Sequence, residues 1–164
     1  MRAPRFLPAT PEEARSLPGG FDFLLITGDA YVDHPTFANA LVGRYLESLG
    51  FKVVLAPQPD WNDPGSLEAY GVPRLAVLVS GGNMDSMVAN YTSERHRRSR
   101  DLFSPGGQPG LRPDRAVMAY VNLARRAFKG LPVIIGGIEA SLRRLAHYDY
   151  WSDKVRRSIL VDSK

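Results

Sequence analysis

The sequence contains no cysteine, and this absence excludes several kinds of site. Without thiolates the chain can form neither a disulfide nor a cysteine-bound metal or iron–sulfur site. Long apolar runs are also lacking, since none approaches the roughly 20 residues that a membrane helix needs. The amino terminus has no apolar segment of about 7–15 residues like that of a secretion signal. We therefore predict a cytoplasmic location and no contact with membranes.

Charge is distributed unevenly along the 164 residues, whose formal net charge is +4. Residues 1–90 have 6 Lys or Arg and 10 Asp or Glu, whereas residues 91–164 have 15 and 7. The basic half indicates either a solvated arginine-rich face or a surface for an anionic partner. Its densest run, Arg95–Arg100, lacks the interleaved aromatic residues of a single-strand binding platform. Nucleic acid is therefore not an expected partner.

Four apolar runs alternate with helical patterns, and this alternation predicts an α/β fold with a mostly parallel sheet. A doubly wound sheet of the flavodoxin-like or cobalamin-binding-like type usually has about five or more strands. We expect a sheet that is truncated after the fourth strand and its helices. Residues 1–20 are predicted to form an extended lead-in, and residues 21–164 a single α/β domain. The predicted strands are Phe21–Thr27, Phe51–Ala56, Arg74–Ser80 and Pro132–Ile135.

A long helix is predicted to follow the first strand. Asp33 or His34 can cap its start, with Pro35 in its first turn, and the pattern ends at Leu49. Its apolar positions recur with helical spacing and are expected to form the buried stripe. They are Ala38, Leu41, Val42, Tyr45, Leu46 and Leu49.

The basic half opens with a long loop, residues 92–113, which is rich in arginine, glycine and proline. Asp114 can cap the helix that follows, and Ser152 can cap a last helix. Between them, Glu139 and Arg143 have the spacing of a helical ion pair. An apolar patch near the carboxyl end is expected to need a packing partner. Its members are Val155, Ile159, Leu160 and Val161.

Glycine-rich polar clusters follow three of the predicted strands. The carboxyl ends of parallel strands share one edge of a sheet, where ligands bind, so we expect these clusters to converge. Paired glycines allow close backbone approach to a ligand, but neither pair belongs to a dinucleotide or phosphate-loop fingerprint. The candidate ligand-binding residues are Gly28, Asp29, Asp33, His34, Gly81, Gly82, Asn83, Gly136, Gly137 and Glu139.

Each candidate also has a purely structural interpretation. The glycine pairs suit tight strand-to-helix turns as well as a ligand site. Asp29, Asp33 and His34 have the chemistry of a metal or acid–base site, but Asp33 and His34 equally suit a helix cap. His147, which lies beside three aromatic residues, can stack on a cofactor or pack in an aromatic cluster. The residues alone assign no catalytic and no metal-binding role.

Several stretches closely resemble the N-terminal region of the YgiQ-type radical SAM proteins. The most specific is GGIEASLRRLAHYDYWSDKVRRSILVDSK, residues 136–164. The others are residues 27–35 (TGDAYVDHP), 58–61 (QPDW), 82–87 (GNMDSM), 90–92 (NYT) and 112–116 (RPDRA). The resemblance runs from Phe6 to Lys164 and covers nearly the whole chain.

The resemblance implies a cobalamin-binding-type α/β domain that precedes a radical SAM barrel. In that family the C-x-x-x-C-x-x-C motif of the barrel binds a 4Fe–4S cluster and S-adenosylmethionine, and no position of this chain matches the motif. The chain alone is therefore expected to bind no cofactor and to be inactive. Cobalamin is a doubtful cofactor, because Asp33 and His34 are adjacent and do not form the D-x-H-x-x-G signature.

Two functions remain open. As an accessory domain, the chain would help to close or shape the active site of the barrel, its main partner, through the glycine-lined edge. As a stand-alone module of flavodoxin-like architecture, it would bind a small ligand or a nucleotide. A coding sequence that continues into the barrel motif favours the first function, and a stop codon after residue 164 favours the second.

Overall fold

The computed structural model describes residues 6–163, in which strands and helices alternate. A short helix precedes four strand–helix units, and a small hairpin and a helical turn follow them. The helices are α1 (Pro11–Arg15), α2 (Ala38–Ser48), α3 (Gly65–Glu68), α4 (Ser86–Asn90), α5 (Ala116–Ala127), α6 (Gly137–Leu142) and α7 (Ile159–Asp162). The strands are β1 (Phe23–Thr27), β2 (Val53–Pro57), β3 (Ala76–Ser80), β4 (Val133–Gly136), β5 (His147–Asp149) and β6 (Lys154–Arg156).

The first four strands form one sheet in the order β2–β1–β3–β4, and every pairing in it is parallel. Phe23 lies opposite both Val53 and Ala76, which fixes the register of three neighbouring strands. The predicted doubly wound α/β class is confirmed, and the strand order matches the start of a flavodoxin-like sheet. Among residues 6–163, β4 has no strand partner on its outer edge.

One face of the sheet holds the main core. Leu24, Val54 and Val77, one from each of three strands, are fully buried in a single cluster with side chains of α3 and α5. Val117 and Val121, one turn apart on α5, belong to the same cluster. Burying a side chain of this size stabilises a fold by about 1.5–3 kcal/mol. This face therefore supplies most of the hydrophobic stabilisation.

The opposite face is only partly covered. α2 packs on β1 and β2, where Leu25 and Leu55 belong to a second, smaller cluster. The helix approaches closely through Ala40 and Gly43, and a Cβ on Gly43 would lie 2.5 Å from Leu7 Cδ1. The buried stripe predicted for this helix is wrong at four of its six positions, because small residues face inwards instead, while Leu46 packs against the second cluster as expected. Leu41, Val42, Tyr45 and Leu49 are between 42% and 62% exposed.

α2 also begins later than predicted. Its first residue is Ala38, preceded by Phe37, and no side chain caps it. Asp33 does not cap the helix, because its carboxylate pairs with Arg44 on α2. His34 is exposed in the preceding loop. The predicted cap at Asp33 or His34 is therefore wrong.

The start of α5 differs in a similar way. The residue before it is Arg115, whose backbone is left-handed with φ at 51°. Asp114, the predicted cap, accepts hydrogen bonds from Asn90 Nδ2 and the Tyr91 hydroxyl at 2.8 and 2.7 Å. Asp114 therefore ties the end of α4 to the start of α5 and caps neither helix.

A hairpin replaces the last predicted helix. β5 and β6 pair His147 with Arg156, and Ser152 lies in the turn between them. The cap is Ser158, whose hydroxyl accepts a hydrogen bond from Leu160 N in α7 at 3.3 Å. Within the apolar patch expected near the carboxyl end, Ile159 is buried, while Val155, Leu160 and Val161 are exposed.

The lead-in is not wholly extended, and it belongs to the fold. Thr10 Oγ1 accepts a hydrogen bond from Glu13 N, and the Glu13 carboxylate accepts one from Thr10 N. This capping box starts α1. The Tyr70 hydroxyl donates to Ala9 O at 3.2 Å and fastens the segment to α3 and its C-terminal turn. Residues 1–5 of the predicted lead-in lie outside the described residues.

Candidate functional site

The clusters that follow β1 and β3 meet at the carboxyl edge of the sheet. Asn83 N donates to Asp29 Oδ2 at 2.7 Å, and Gly28 N donates to Ser80 O at 3.2 Å. The chain reverses direction across the sheet here, since β2 lies on one side of β1 and β3 on the other. The expected convergence thus falls at the topological switch point, where doubly wound domains hold their ligands.

The crevice at the switch point is filled by the side chain of Arg112, which is fully buried. One terminal nitrogen of its guanidinium lies 2.8 Å from Asp29 Oδ1, and the other donates to Gly81 O at 2.7 Å. Nε donates to Asp101 Oδ2 at 3.1 Å. Groups of the chain itself therefore surround the guanidinium, and the crevice holds an internal triad of Asp29, Asp101 and Arg112.

Burial governs the ionisation of this triad. Burial raises the pKa of Asp29 above its ordinary value, and the charge of Arg112 and the Asn83 N–H oppose the rise only in part. Burial alone would lower the pKa of Arg112, but the hydrogen bond to Asp101 and the charge of Asp29 outweigh it and raise that pKa. The guanidinium stays charged, so its removal would leave two buried carboxylates without their cation.

Three glycines of the candidate set leave space for the chain's own groups. A Cβ on Gly82, where φ is +103°, would lie 2.2 Å from Asp29 Oδ1. A Cβ on Gly28 would lie 2.3 Å from Gly81 O, and one on Gly81 would lie 2.6 Å from Glu139 Oε2. These close approaches explain why glycine is needed at the three positions, and the explanation requires no ligand. A ligand contact at these positions stays a prediction.

Glu139 lies behind the crevice and is 1% exposed. Its two carboxylate oxygens accept hydrogen bonds from Ser86 N and Val117 N, both at 3.0 Å, in the first turns of α4 and α5. A helix N-terminus favours a carboxylate through its positive dipole end. The predicted ion pair with Arg143 is wrong, because Arg143 pairs with Asp85, the N-cap residue of α4.

Asp29, Asp33 and His34 do not form a common site. Asp33 pairs with Arg44, and the hydrogen bond from that guanidinium lowers the pKa of the Asp33 carboxyl. His34 is exposed, and its Nδ1 lies 2.8 Å from Thr36 Oγ1. Among residues 6–163, no group of three or more histidine or acidic side chains is placed to hold a metal ion. The described residues therefore give no support to a shared metal site for this trio, and an acid–base or ligand role at these positions stays a prediction.

The part of the edge beside β4 is open. Gly136 and Gly137 are both exposed, and a Cβ on Gly136 would meet nothing within 4 Å. Gly137 has φ at +82° and turns the chain directly from β4 into α6. Ile134, two residues before the turn, is 55% exposed. This end of the edge has space for another molecule, in contrast to the filled crevice.

The hairpin carries a second ion cluster, centred on the buried Asp149. Its Oδ2 accepts hydrogen bonds from Ser152 Oγ and Arg115, both at 2.6 Å, and from Arg156 Nε at 2.9 Å. Burial raises the carboxyl pKa, but the hydrogen bonds from Ser152 and Arg115 and the charge of Arg115 outweigh it and hold the pKa of Asp149 well below its usual range. Asp149 thereby ties the hairpin to the start of α5.

Arg112 and Asp101 were not among the residues predicted for the site. Arg112 belongs to the RPDRA stretch, but an arginine next to a proline carries no local sign of burial. Asp101 lies in a segment without periodic pattern. The available signal was the length of the loop that contains both, because long loops inside compact domains often have a role.

The described residues do not fit the cofactors that the resemblance implies. The chain has no cysteine to ligate a 4Fe–4S cluster. For cobalamin, His34 is engaged with Thr36 on the surface, and Arg112 fills the switch-point crevice. No catalytic step is therefore assigned to residues of this chain.

Comparison with known sequences shows the family of the chain. The family model described as Radical SAM N-terminal matches residues 6–164. The chain belongs to the Radical SAM N-terminal family. Its relatives include the UPF0313 proteins of Thermotoga maritima and Rhodopseudomonas palustris, which are 56% and 54% identical to it over 97% of its length. A UPF0313 protein of Clostridium botulinum is 53% identical over 96%.

This Radical SAM N-terminal domain spans a minor part of the curated relatives that it matches. It covers 28% of the Thermotoga maritima protein, 24% of the Rhodopseudomonas palustris protein and 25% of the Clostridium botulinum protein. No solved structure matches the domain. Within residues 6–163, every helix is too short or too polar to cross a membrane. The predicted family is confirmed.

Proposed function

We propose that this chain is an accessory N-terminal domain of a radical SAM enzyme and helps to close or shape the active site of a barrel. The observation that carries the proposal is the uncovered half of the sheet at β3 and β4. The family match and the small share of the relatives' length support it.

Parallel sheets are normally covered on both faces, because crossover helices pack on each side. α5 contacts β3 and β4 on one face, whereas the main contacts of α2 on the other face are with β1 and β2. A groove of about 160 Å³ remains between α2 and β4, and its apolar lining includes Val42, Leu78 and Ile134. Covering each side chain of this kind stabilises a contact by about 1.5–3 kcal/mol.

The outer edge of β4 supports the same docking side. Its backbone donors and acceptors have no strand partner among residues 6–163, and such an edge readily accepts a further strand. The exposed Gly136 and Gly137 lie at the carboxyl end of this strand. A barrel seated on β4 would therefore also meet the open part of the carboxyl edge.

In the proposed enzyme the 4Fe–4S cluster and S-adenosylmethionine belong to the barrel, because this domain has no cysteine ligand for a cluster. The domain would contribute cover and shape to the active site. A cytoplasmic location is part of the same proposal. The alternative, a stand-alone ligand module, has less support at the switch point, because Arg112 occupies that crevice.

A chimera tests the docking. The chain would replace the matching segment of the Thermotoga maritima relative, and hydrogen exchange would be compared between the chimera and the isolated chain. We expect exchange of residues 133–137 to slow at least tenfold in the chimera, because strand pairing and burial protect amides. Equal exchange rates in the two proteins would contradict the proposal.

Matched substitutions locate the surface. Val42→Asp places a charge on the exposed face of α2 beside the groove, and Val72→Asp makes the same change in a loop away from it. We expect Val42→Asp to abolish the added protection of β4 in the chimera and to leave the stability of the isolated chain nearly unchanged. Equal effects of the two substitutions would show that this face is not the docking surface.

A further inference from the structure

A second cavity, of about 570 Å³, lies between α4 and residues 97–103. Its volume falls within the roughly 300–1,000 Å³ typical of small-molecule sites. The cavity combines an apolar floor with a basic rim. The floor is formed by Met84, Val88, Ala89, Leu102 and Phe103, and the rim by Arg97, Arg98 and Arg100.

The rim is not neutralised by the chain. Arg98 Nε donates to two backbone carbonyls, and within residues 6–163 neither Arg98 nor Arg100 has a carboxylate partner. Arg97 shares a loose, exposed ion pair with Asp114 at 3.3 Å. Asp101 also lines the cavity, but its carboxylate forms an ion pair with Arg112. Two guanidinium groups therefore face this cavity without a counter-charge.

The wall of the cavity is fastened to the sheet. Phe103 O accepts a hydrogen bond from Ala30 N, just past β1, at 2.8 Å. Asp101 is held by Arg112 Nε at 3.1 Å and by Ser104 Oγ at 2.9 Å. The buried triad of the switch point therefore forms the rear support of the cavity. A preorganised wall of this kind lowers the entropic cost of binding a ligand.

We propose that this cavity binds a phosphorylated small molecule with a ring or other apolar group, of the nucleoside monophosphate class. A phosphate monoester carries about −1.5 to −2 charges near pH 7, which matches the two guanidinium groups that lack a carboxylate partner. The guanidinium fork binds phosphate oxygens in pairs. The aromatic and aliphatic floor provides the surface for the ring. The cavity belongs to the chain itself, so this binding does not depend on the accessory role.

Calorimetric titration of the 164-residue chain with AMP, adenosine and inorganic phosphate tests the proposal at about 0.1 M salt, where long-range attraction is screened. We expect saturable AMP binding below about 1 mM, and at least tenfold weaker binding of adenosine and of inorganic phosphate. Arg100→Gln should weaken AMP binding at least tenfold. Arg100 makes no hydrogen bond within residues 6–163, so its loss should leave the fold intact.

Arg125→Gln is the matched control, because Arg125 is an exposed arginine that lines a different cavity. It should change AMP affinity less than twofold. Equal losses of AMP affinity in Arg100→Gln and Arg125→Gln would show that AMP is attracted to the basic surface in general, and would overturn the proposal. Failure to observe saturable AMP binding at 1 mM, or equal affinity for AMP and adenosine, would also overturn it.

Discussion

The two halves of the sheet are completed in different ways. At β1 and β3 the carboxyl edge is closed by a buried guanidinium and two carboxylates, and both faces of the sheet carry packed side chains. At β4 the edge ends in exposed glycines, and Ile134 stands on an uncovered face. A doubly wound domain can therefore fill the crevice at its switch point with its own side chains and still leave the neighbouring strand open to another partner.

The largest effect is expected from removing the guanidinium. Arg112→Met replaces the guanidinium with a shorter, unbranched apolar side chain and leaves Asp29 and Asp101 buried without a cation, which typically costs about 3–5 kcal/mol. Urea unfolding of the chain measures the loss. Arg125→Met, at an exposed arginine, is the control and should change the free energy of unfolding by about 0.5 kcal/mol or less. A loss below about 1 kcal/mol for Arg112→Met would show that the triad does not secure the crevice.

The next largest effect is expected at the glycines of the closed and the open part of the carboxyl edge. Gly82→Ala would place a Cβ 2.2 Å from Asp29 Oδ1 at a φ of +103°, and overpacking together with backbone strain should cost about 2–4 kcal/mol. Gly136→Ala meets open space and should cost about 0.5 kcal/mol or less. Chemical denaturation of both variants measures the difference. Similar losses would erase the distinction between the closed and the open edge.

The ion cluster of the hairpin makes part of the stability depend on pH. The folded pKa of Asp149 is depressed, so its ionic contribution is present above the unfolded pKa of about 3.9 and is lost as pH falls towards the folded value. Asp149→Asn should destabilise the hairpin by about 1–3 kcal/mol at pH 7, and by less at pH 3. Trp151 fluorescence in a Trp61→Phe background reports the hairpin. A difference that does not shrink on acidification would contradict the depressed pKa.

The smallest effect is expected on the uncovered face. Ile134→Ser removes a side chain that is 55% exposed and should change stability by about 0.5 kcal/mol or less in the isolated chain. Leu24→Ala, at a fully buried position of β1, should cost about 2–5 kcal/mol. Thermal and urea unfolding compare them. A large loss for Ile134→Ser would mean that the face is already covered within this chain.

The strands and their parallel arrangement could be predicted because their causes are local. Each strand is a short apolar run, and alternation with helices selects the parallel sheet. The meeting of Asp29 with Asn83 follows from the rule that carboxyl ends of parallel strands share an edge. The ion pair of Asp149 with Arg156 likewise joins two residues that are close in sequence.

The predictions were wrong where contacts between residues that are distant in the sequence determine the structure. The orientation of α2 depends on Gly43 and its contact with Leu7, 36 positions away, and no helical periodicity contains that fact. Arg112 is buried because Asp29 and Asp101 lie on either side of it, and each belongs to a different segment. In the hairpin, the Asp149 cluster stabilises a turn where helical spacing predicted a helix.

The triad also sets an order of events during synthesis. Asp29 and Arg112 are 83 positions apart, so the carboxylate leaves the ribosome long before its cation has been made. At translation rates of about 5–20 residues per second, the delay is roughly 4–17 s. Throughout that interval the end of β1 cannot be sealed, and the nascent chain exposes an unpaired acidic group beside its first strand. The buried triad can therefore form in the nascent domain only after the loop that carries Arg112 has been synthesised.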